Sequence, residues 1–193
     1  MRPDDAVSVA GLHRQGIPTG VLAELGLPAL ARLYRALLDN PDAFVFVGVD
    51  PQDRVMAFVS GVSDVGQMYR RVIRQQFWSF AALGLRYALN PRMIRRLLNT
   101  LAYPTKVTGA FPGAELLSIV VAPAGQGSGV GTLLLEALLA EFRRRGIERI
   151  KVMVRADFAR ANGYYRKHGF TLAGQIMSHG YPSNIYVIDT QAR

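Results

Sequence analysis

The chain has no cysteine, which excludes disulfides, thiol nucleophiles and thiolate metal sites. Its three histidines, His13, His168 and His179, are scattered without ligand spacing, so no metal site is expected. Half of the residues are hydrophobic, yet no apolar run reaches the roughly 18 residues that span a bilayer. The start Met1-Arg2-Pro3-Asp4-Asp5 lacks the pattern of a signal peptide, and no repeat or low-complexity tract appears. These absences predict a cytoplasmic protein with a single domain over residues 1–193. One further absence is local. Between Asp64 and Glu115 there is no acidic residue, while Arg70, Arg71, Arg74, Arg86, Arg92, Arg95, Arg96 and Lys106 supply eight positive charges of a net +9. The basic character belongs to that one segment and predicts an anionic partner there rather than a diffuse field.

The apolar pattern supplies the elements. Residues 5–9 read as a first strand, and 21–38 carry helical spacing interrupted at Pro28 and stopped by Asn40-Pro41. Residues 43–49 and 54–62 form a predicted hairpin around Asp50-Pro51-Gln52-Asp53. Within 65–113, a helical insert is expected over 69–89, with Phe77, Trp78 and Phe80, and again over 92–101, where Arg92, Arg95 and Arg96 cluster. Three readings of this insert stand: an aromatic core with solvated arginines, a pocket wall whose guanidinium groups hold a phosphate or carboxylate, and a membrane-surface contact through 69–101. Arg143-Arg144-Arg145 sits in the last turn of a later helix stopped by Gly146. Cations complement that end, so no nucleic-acid partner is inferred.

The chain's most informative stretch runs from Glu115 to Thr132. Leu116 to Val121 is a short β-branched strand closed by Pro123, and from Thr132 the residues Leu134, Leu135, Leu138, Leu139 and Phe142 recur at helical spacing. Gly127, Gly129 and Gly131 therefore open a helix. They let the backbone approach a ligand, and the unpaired first N–H groups of the helix favour an anion such as phosphate or pyrophosphate. A ligand-free glycine turn is the competing reading, although three glycines at alternate positions exceed what a turn requires. A dinucleotide fingerprint fails because Thr132 stands where its third glycine belongs. A P-loop fails because Val130 follows Gly125 by five residues and the loop has no lysine.

The segment Gln126-Gly127-Ser128-Gly129-Val130-Gly131 resembles the acetyl-CoA loop, Q/R-x-x-G-x-G/A, of the GNAT acetyltransferase superfamily. Residues 157–170 are similar to its second motif, N-x-x-A-x-x-F/L-Y-x-x-x-G-F, through Ala161, Tyr164, Tyr165, Gly169 and Phe170. Phe158 replaces the leading asparagine, and Asn162, one turn further on, is expected to supply the CoA hydrogen bond instead. The resemblance implies an α/β fold: a mixed, largely antiparallel twisted sheet flanked by helices, here with the helical insert before the CoA-binding strand. It also implies an acetyl-CoA-dependent N-acetyltransferase. Backbone groups of Ile119, Val120 and Val121 would face the thioester and pantetheine, and residues 126–132 (Gln126, Gly127, Ser128, Gly129, Val130, Gly131, Thr132) would hold the pyrophosphate.

Tyr165 falls where the family's general acid sits, and a phenol can protonate a departing thiolate. Glu115 lies eleven residues before Gln126, the offset of the catalytic glutamate in the histone-modifying branch. Alternation would put it on one face with Leu117, Ile119 and Val121, where apolar neighbours would make it a better base. A water relay is the rival assignment. The acceptor is expected to be a small amine, and Arg92, Arg95 and Arg96 predict an anionic one such as a nucleotide-linked amino sugar. Two alternatives stand beside this: a membrane-surface acyltransferase with longer acyl thioesters, and a non-catalytic acyl-CoA sensor.

Overall fold

The computed structural model describes residues 1–17, 26–75, 110–178 and 180–191. After a 3-10 turn at Pro3–Asp5 the elements are α1 (Ala6–Gly16), α2 (Leu27–Leu38), β1 (Ala43–Val49), β2 (Val55–Val62), α3 (Val65–Gln75), β3 (Glu115–Val121), α4 (Val130–Arg144), β4 (Arg149–Arg155), α5 (Ala159–Lys167), β5 (Thr171–Ser178) and β6 (Tyr181–Asp189). The six strands form one sheet in the order β1-β2-β3-β4-β6-β5. Every neighbouring pair is antiparallel except β3 and β4. This is the mixed, mostly antiparallel α/β sheet that the resemblance implied.

The expected strand over residues 5–9 is a helix instead. Ala6, Val9, Ala10 and His13 are buried at i, i+3, i+4 and i+7, and that stripe decides against strand alternation. Pro28 starts α2, where a missing N–H costs nothing, rather than interrupting a longer helix. Residues 18–25 lie outside the described set. The insert begins with α3, whose first turn is capped by Asp64 accepting the Gln67 N–H at 2.8 Å. Residues 76–109, which carry Arg86, Arg92, Arg95, Arg96, Lys106 and most of the proposed membrane-surface stretch, also lie outside it. Among the described residues no helix is long and apolar enough to cross a membrane.

Each face of the sheet has its own core. On one, α1 and α2 cover Val45, Phe58, Val62 and Val120. On the other, Leu134, Leu135, Leu138, Leu139 and Phe142 of α4 meet Leu116, Ile150 and Val152. Five buried side chains of that size contribute on the order of 10 kcal/mol of transfer free energy, which fixes α4 firmly against the strand preceding it. Gly61 permits the close approach, since a Cβ there would stand 2.8 Å from Leu138 Cδ1. The three arginines closing α4 are occupied. Arg143 donates to the Thr190 carbonyl at 2.8 Å, Arg144 and Arg145 pair with Glu141, and Arg145 also reaches the Pro41 carbonyl at 2.7 Å.

Candidate active site

The site begins with a fault in β3. Against β2 the register runs Ser60↔Ser118 and then Gly61↔Leu116, so Leu117 is an extra, bulged residue. On its other edge β3 pairs with β4 only at Glu115↔Lys151 and Leu116↔Val152. From Leu117 onward the parallel pair is open at its carboxyl end. Ala122 donates its N–H to the Met56 carbonyl at 2.8 Å, and the two-residue period sends the N–H of Val120 toward β2 as well. The N–H groups of Ile119 and Val121 therefore turn to the open edge. Val120, expected beside them, contributes an apolar side chain to the α1–α2 core instead.

The bulge also reassigns faces. Ile119 and Val121 join Leu116 in the α4–α5 core, whereas Leu117 packs with the α1–α2 core. Strict alternation, which put Glu115 on one face with Leu117, Ile119 and Val121, is broken at Leu117. Glu115 is 4% exposed, and its Oε2 lies 3.3 Å from the Nζ of Lys151, which has no exposed surface. Lys151 also donates to the Pro112 carbonyl. The carboxylate thus has a buried ammonium for a neighbour where apolar side chains were expected.

Immediately beyond the open strand the chain makes a 3-10 turn at Pro123–Gly125 and then the glycine loop. Gly127 and Gly129 adopt φ of +85° and +86°, a region that favours glycine, and a Cβ at either would meet nothing within 4 Å. The space over the loop is free for a ligand. Gly129 is the N-cap of α4, with no side chain capping the helix. In its first turn the Thr132 N–H bonds the Gly129 carbonyl at 2.9 Å and the Val130 N–H faces the Ser128 hydroxyl at 3.5 Å, so the helix start offers an anion its dipole and the Gly131 N–H. Gln126, expected to contact the cofactor, folds its amide N–H back onto the Val121 carbonyl at 3.2 Å, and the Ser128 hydroxyl bonds the Gly125 carbonyl at 2.7 Å. These two side chains shape the loop and leave its backbone to the ligand.

Helix α5 clasps that loop. The Tyr164 hydroxyl donates to the Gly131 carbonyl at 2.9 Å, and His168 Nε2 meets Thr132 Oγ1 at 3.1 Å while its Nδ1 bonds the Tyr164 carbonyl at 2.8 Å. His168 stacks on Tyr164 with ring centroids 4.1 Å apart. Sequence reasoning gave Tyr164 a place in the second motif and His168 no role; the signal for their joint task was their i, i+4 spacing. Tyr165 turns inward, 5% exposed, with its ring edge-to-face against Tyr164 and Phe170. Burial pushes its phenol well above the ordinary 10. Its hydroxyl makes no hydrogen bond to another described residue, so it is a buried donor in need of a partner.

Asn162 has a different task from the one expected. Its amide nitrogen donates to the carbonyls of Arg155 and Phe158, each at 2.8 Å, and its oxygen accepts from Asn184 at 2.8 Å and Tyr186 at 3.0 Å. With both sides of the amide used and the residue buried, Asn162 braces α5 to β4 and β6 and has nothing left for CoA. Asp157 pairs with Arg155, and no side chain caps α5.

The opposite face of β3 carries a polar cluster that the sequence did not announce. Tyr34 Oη lies 2.7 Å from His13 Nδ1, with the hydroxyls of Ser60 and Ser118 beside it. His13 stacks on Phe58, and burial lowers its pKa to about 4, so the ring is neutral where it shares a hydrogen bond with the Tyr34 hydroxyl. Burial raises the Tyr34 phenol. Ser118, opposite Ser60 in the β2–β3 register, stands beside this cluster. Among the described residues no group of three or more His, Cys, Asp and Glu gathers as a metal site. Arg92, Arg95 and Arg96 fall outside the described residues.

An open mixed sheet, covered by helices on both faces, split at its one parallel pair and carrying a glycine loop at the split, is the acyl-CoA N-acyltransferase fold. The chain belongs to the acetyltransferase (GNAT) family, whose model matches residues 22–170. It is 35% identical over 77 residues to mycothiol acetyltransferase of Beutenbergia cavernae, a match covering 40% of this chain and 26% of that protein. The chain thus spans about a quarter or less of the length of the curated relatives it matches. The ribosomal-protein-S18-alanine N-acetyltransferase of Escherichia coli shares the fold, with a TM-score of 0.60 and 15% identity over 100% of this chain and 92% of that one. So does an aminoglycoside 6'-N-acetyltransferase complexed with coenzyme A, with a TM-score of 0.62 and 15% identity over 100% of this chain and 94% of that one.

Proposed function

We propose that the chain transfers an acetyl group from acetyl-CoA to the primary amine of a small acceptor. The observation that carries this reading is the bulge at Leu117 beside the glycine loop, which frees the N–H groups of Ile119 and Val121 next to an anion-binding helix start. CoA suits both parts: a pyrophosphate for the loop and a chain of amides for an unpaired strand edge. Transfer forms a C–N bond and breaks a C–S bond. It requires an unprotonated amine, donors for the carbonyl oxygen as it gains charge, and a proton for the sulfur. The open-edge N–H groups supply the donors. Tyr165 supplies the proton, since its raised pKa keeps it protonated and its hydroxyl is bonded to no other described residue. The pairing of Glu115 with Lys151 favours a water relay over Glu115 as the group that takes the amine's proton.

Calorimetry with acetyl-CoA tests the reading, and absence of binding at submillimolar concentration would overturn it. The acceptor is sought by free-thiol release in a panel of mycothiol-related amines, nucleotide-linked amino sugars, aminoglycosides and polyamines. Preference for the anionic members would bear on the Arg92, Arg95 and Arg96 expectation.

A further inference from the structure

The two edges of the sheet are finished differently. At β1 the Met1 nitrogen donates to the Val45 carbonyl at 3.1 Å and Met1 packs into the α1–α2 core, so the chain itself lies against that strand. At the other edge β5 pairs with β6 and, among the described residues, with no strand on its outer side. Its eight residues, Thr171 to Ser178, include neither a charge nor a proline, the usual guards of an exposed edge. It does carry a bulge. The register on β6 runs Leu172↔Tyr186 and then Gly174↔Ile185, so Ala173 is an extra residue, and Gln175 and Met177 follow opposite Asn184 and Pro182. Tyr186, Asn184 and Pro182 alternate onto one face, that of the α4–α5 core to which Tyr186 belongs. Leu172, Gln175 and Met177 therefore share that face. All three are exposed, Leu172 by 59% and Met177 by 60%. Gly174 and Ile176 turn to the other face, where Ile176 packs with the α1–α2 core.

We propose that β5 pairs antiparallel with β5 of a second copy of this chain, across a two-fold axis at Gln175, joining two six-stranded sheets into one. The bulge is what makes the strand match itself. With Ala173 set aside as the extra residue, Gln175 is the middle of the strand. Gly174 then stands opposite Ile176 of the second copy, Leu172 opposite Met177, and Thr171 opposite Ser178, each pair on one face of the joined sheet. Without the bulge, residues equidistant from the middle would point to opposite faces and no such register would exist. The pairing covers each large exposed apolar side chain with another, Leu172 with Met177 twice over. It also brings no like charges together, on a chain whose net charge is +9. A strand of a different protein would have no need of this symmetry.

The test is sedimentation velocity of the whole chain over a concentration series. Wild type is expected to dimerise with a dissociation constant on the order of 10 μM, the weak end for a specific interface. Gln175→Lys sets two ammonium groups against each other at the axis, and Gln175→Glu sets two carboxylates there. Each alone should weaken association about tenfold, and an equimolar mixture should restore it as a heterodimer in which lysine faces glutamate. The side chain is exposed and gives up only its 3.0 Å contact with Asn184, so Tm should stay near wild type. Met177→Lys, away from the axis, should weaken the dimer as well. A wild type that stays monomeric overturns the proposal, which is the result expected if the edge serves a strand of another protein. A dimer left intact by both lysine variants, or a mixture that associates no better than its parts, overturns it too.

Discussion

The two faces of the sheet meet at β3 and are built by opposite rules. On the α4–α5 face, residues that act together lie close in sequence: the glycine loop opens α4, and Tyr164 and His168 are one turn apart on α5. On the α1–α2 face, His13, Tyr34, Ser60 and Ser118 come from four elements to one cluster, and Glu115 meets Lys151 across two strands. The first face is made of backbone conformation, and under the proposed function it turns to the cofactor. The second is made of buried polar side chains that satisfy one another. Substitutions should therefore separate the faces, with stability lost on the second and ligand binding or rate lost on the first.

The largest effect is expected at the ion pair. Glu115→Gln strands the buried ammonium of Lys151 and should cost about 3 to 5 kcal/mol in urea unfolding, because an unpaired buried charge keeps its desolvation penalty. Adding Lys151→Met should recover most of that loss. Turnover then divides brace from base: a refolded double variant that still acetylates shows Glu115 to be a brace, whereas a folded but inactive one restores the glutamate as the base.

His13 gives the same face a pH signature. Its pKa is about 4 when folded against an ordinary 6.5. The neutral ring stabilises the fold fully above pH 6.5, and that contribution is lost as pH falls through the window down to 4, since the unfolded chain takes the proton first. The loss is about 3 kcal/mol. Protonation also makes both ring nitrogens donors. Unfolding free energies between pH 7 and 4 should fall in wild type more steeply than in His13→Gln. Parallel curves would remove His13 from the account.

This division explains what could be read from the sequence. The order of the strands, α4, the loop and the two motifs depended on periods and spacings within a few residues of one another. The reading failed where distant residues decided. Residues 5–9 looked like a strand until the helical stripe found a sheet to cover. Alternation along β3 put Leu117 on one face with Ile119 and Val121, which the structure separates, because the bulge at Leu117 is created by mismatch with β2 and has no local signature. Asn162 looked free because its four partners lie on three other stretches, Arg155–Phe158, Asn184 and Tyr186.

On the outward face the expected losses are in function. Tyr165→Phe removes the buried hydroxyl without opening a cavity, so turnover should fall about a hundredfold while CoA affinity and Tm stay close to wild type. An unchanged rate, measured by thiol release with the best amine of the panel, would exclude Tyr165 as the proton donor.

The smallest effect tests whether the two kinds of construction are joined. Tyr164→Phe deletes one hydrogen bond, the 2.9 Å contact to the Gly131 carbonyl, and keeps the ring that stacks on His168. A single neutral hydrogen bond contributes about 1 kcal/mol, so the fold should be only slightly weakened. The contact lies in the first turn of α4, however, where the position of the backbone sets the direction of the N–H groups. If α5 serves as a clamp on the loop, the same substitution should weaken CoA binding by about fivefold, roughly 1 kcal/mol. His168→Leu should act in the same direction by releasing Thr132. Loss of stability without loss of affinity in both variants would mean that the loop holds its shape through Gln126 and Ser128 alone, and that α5 is only its neighbour.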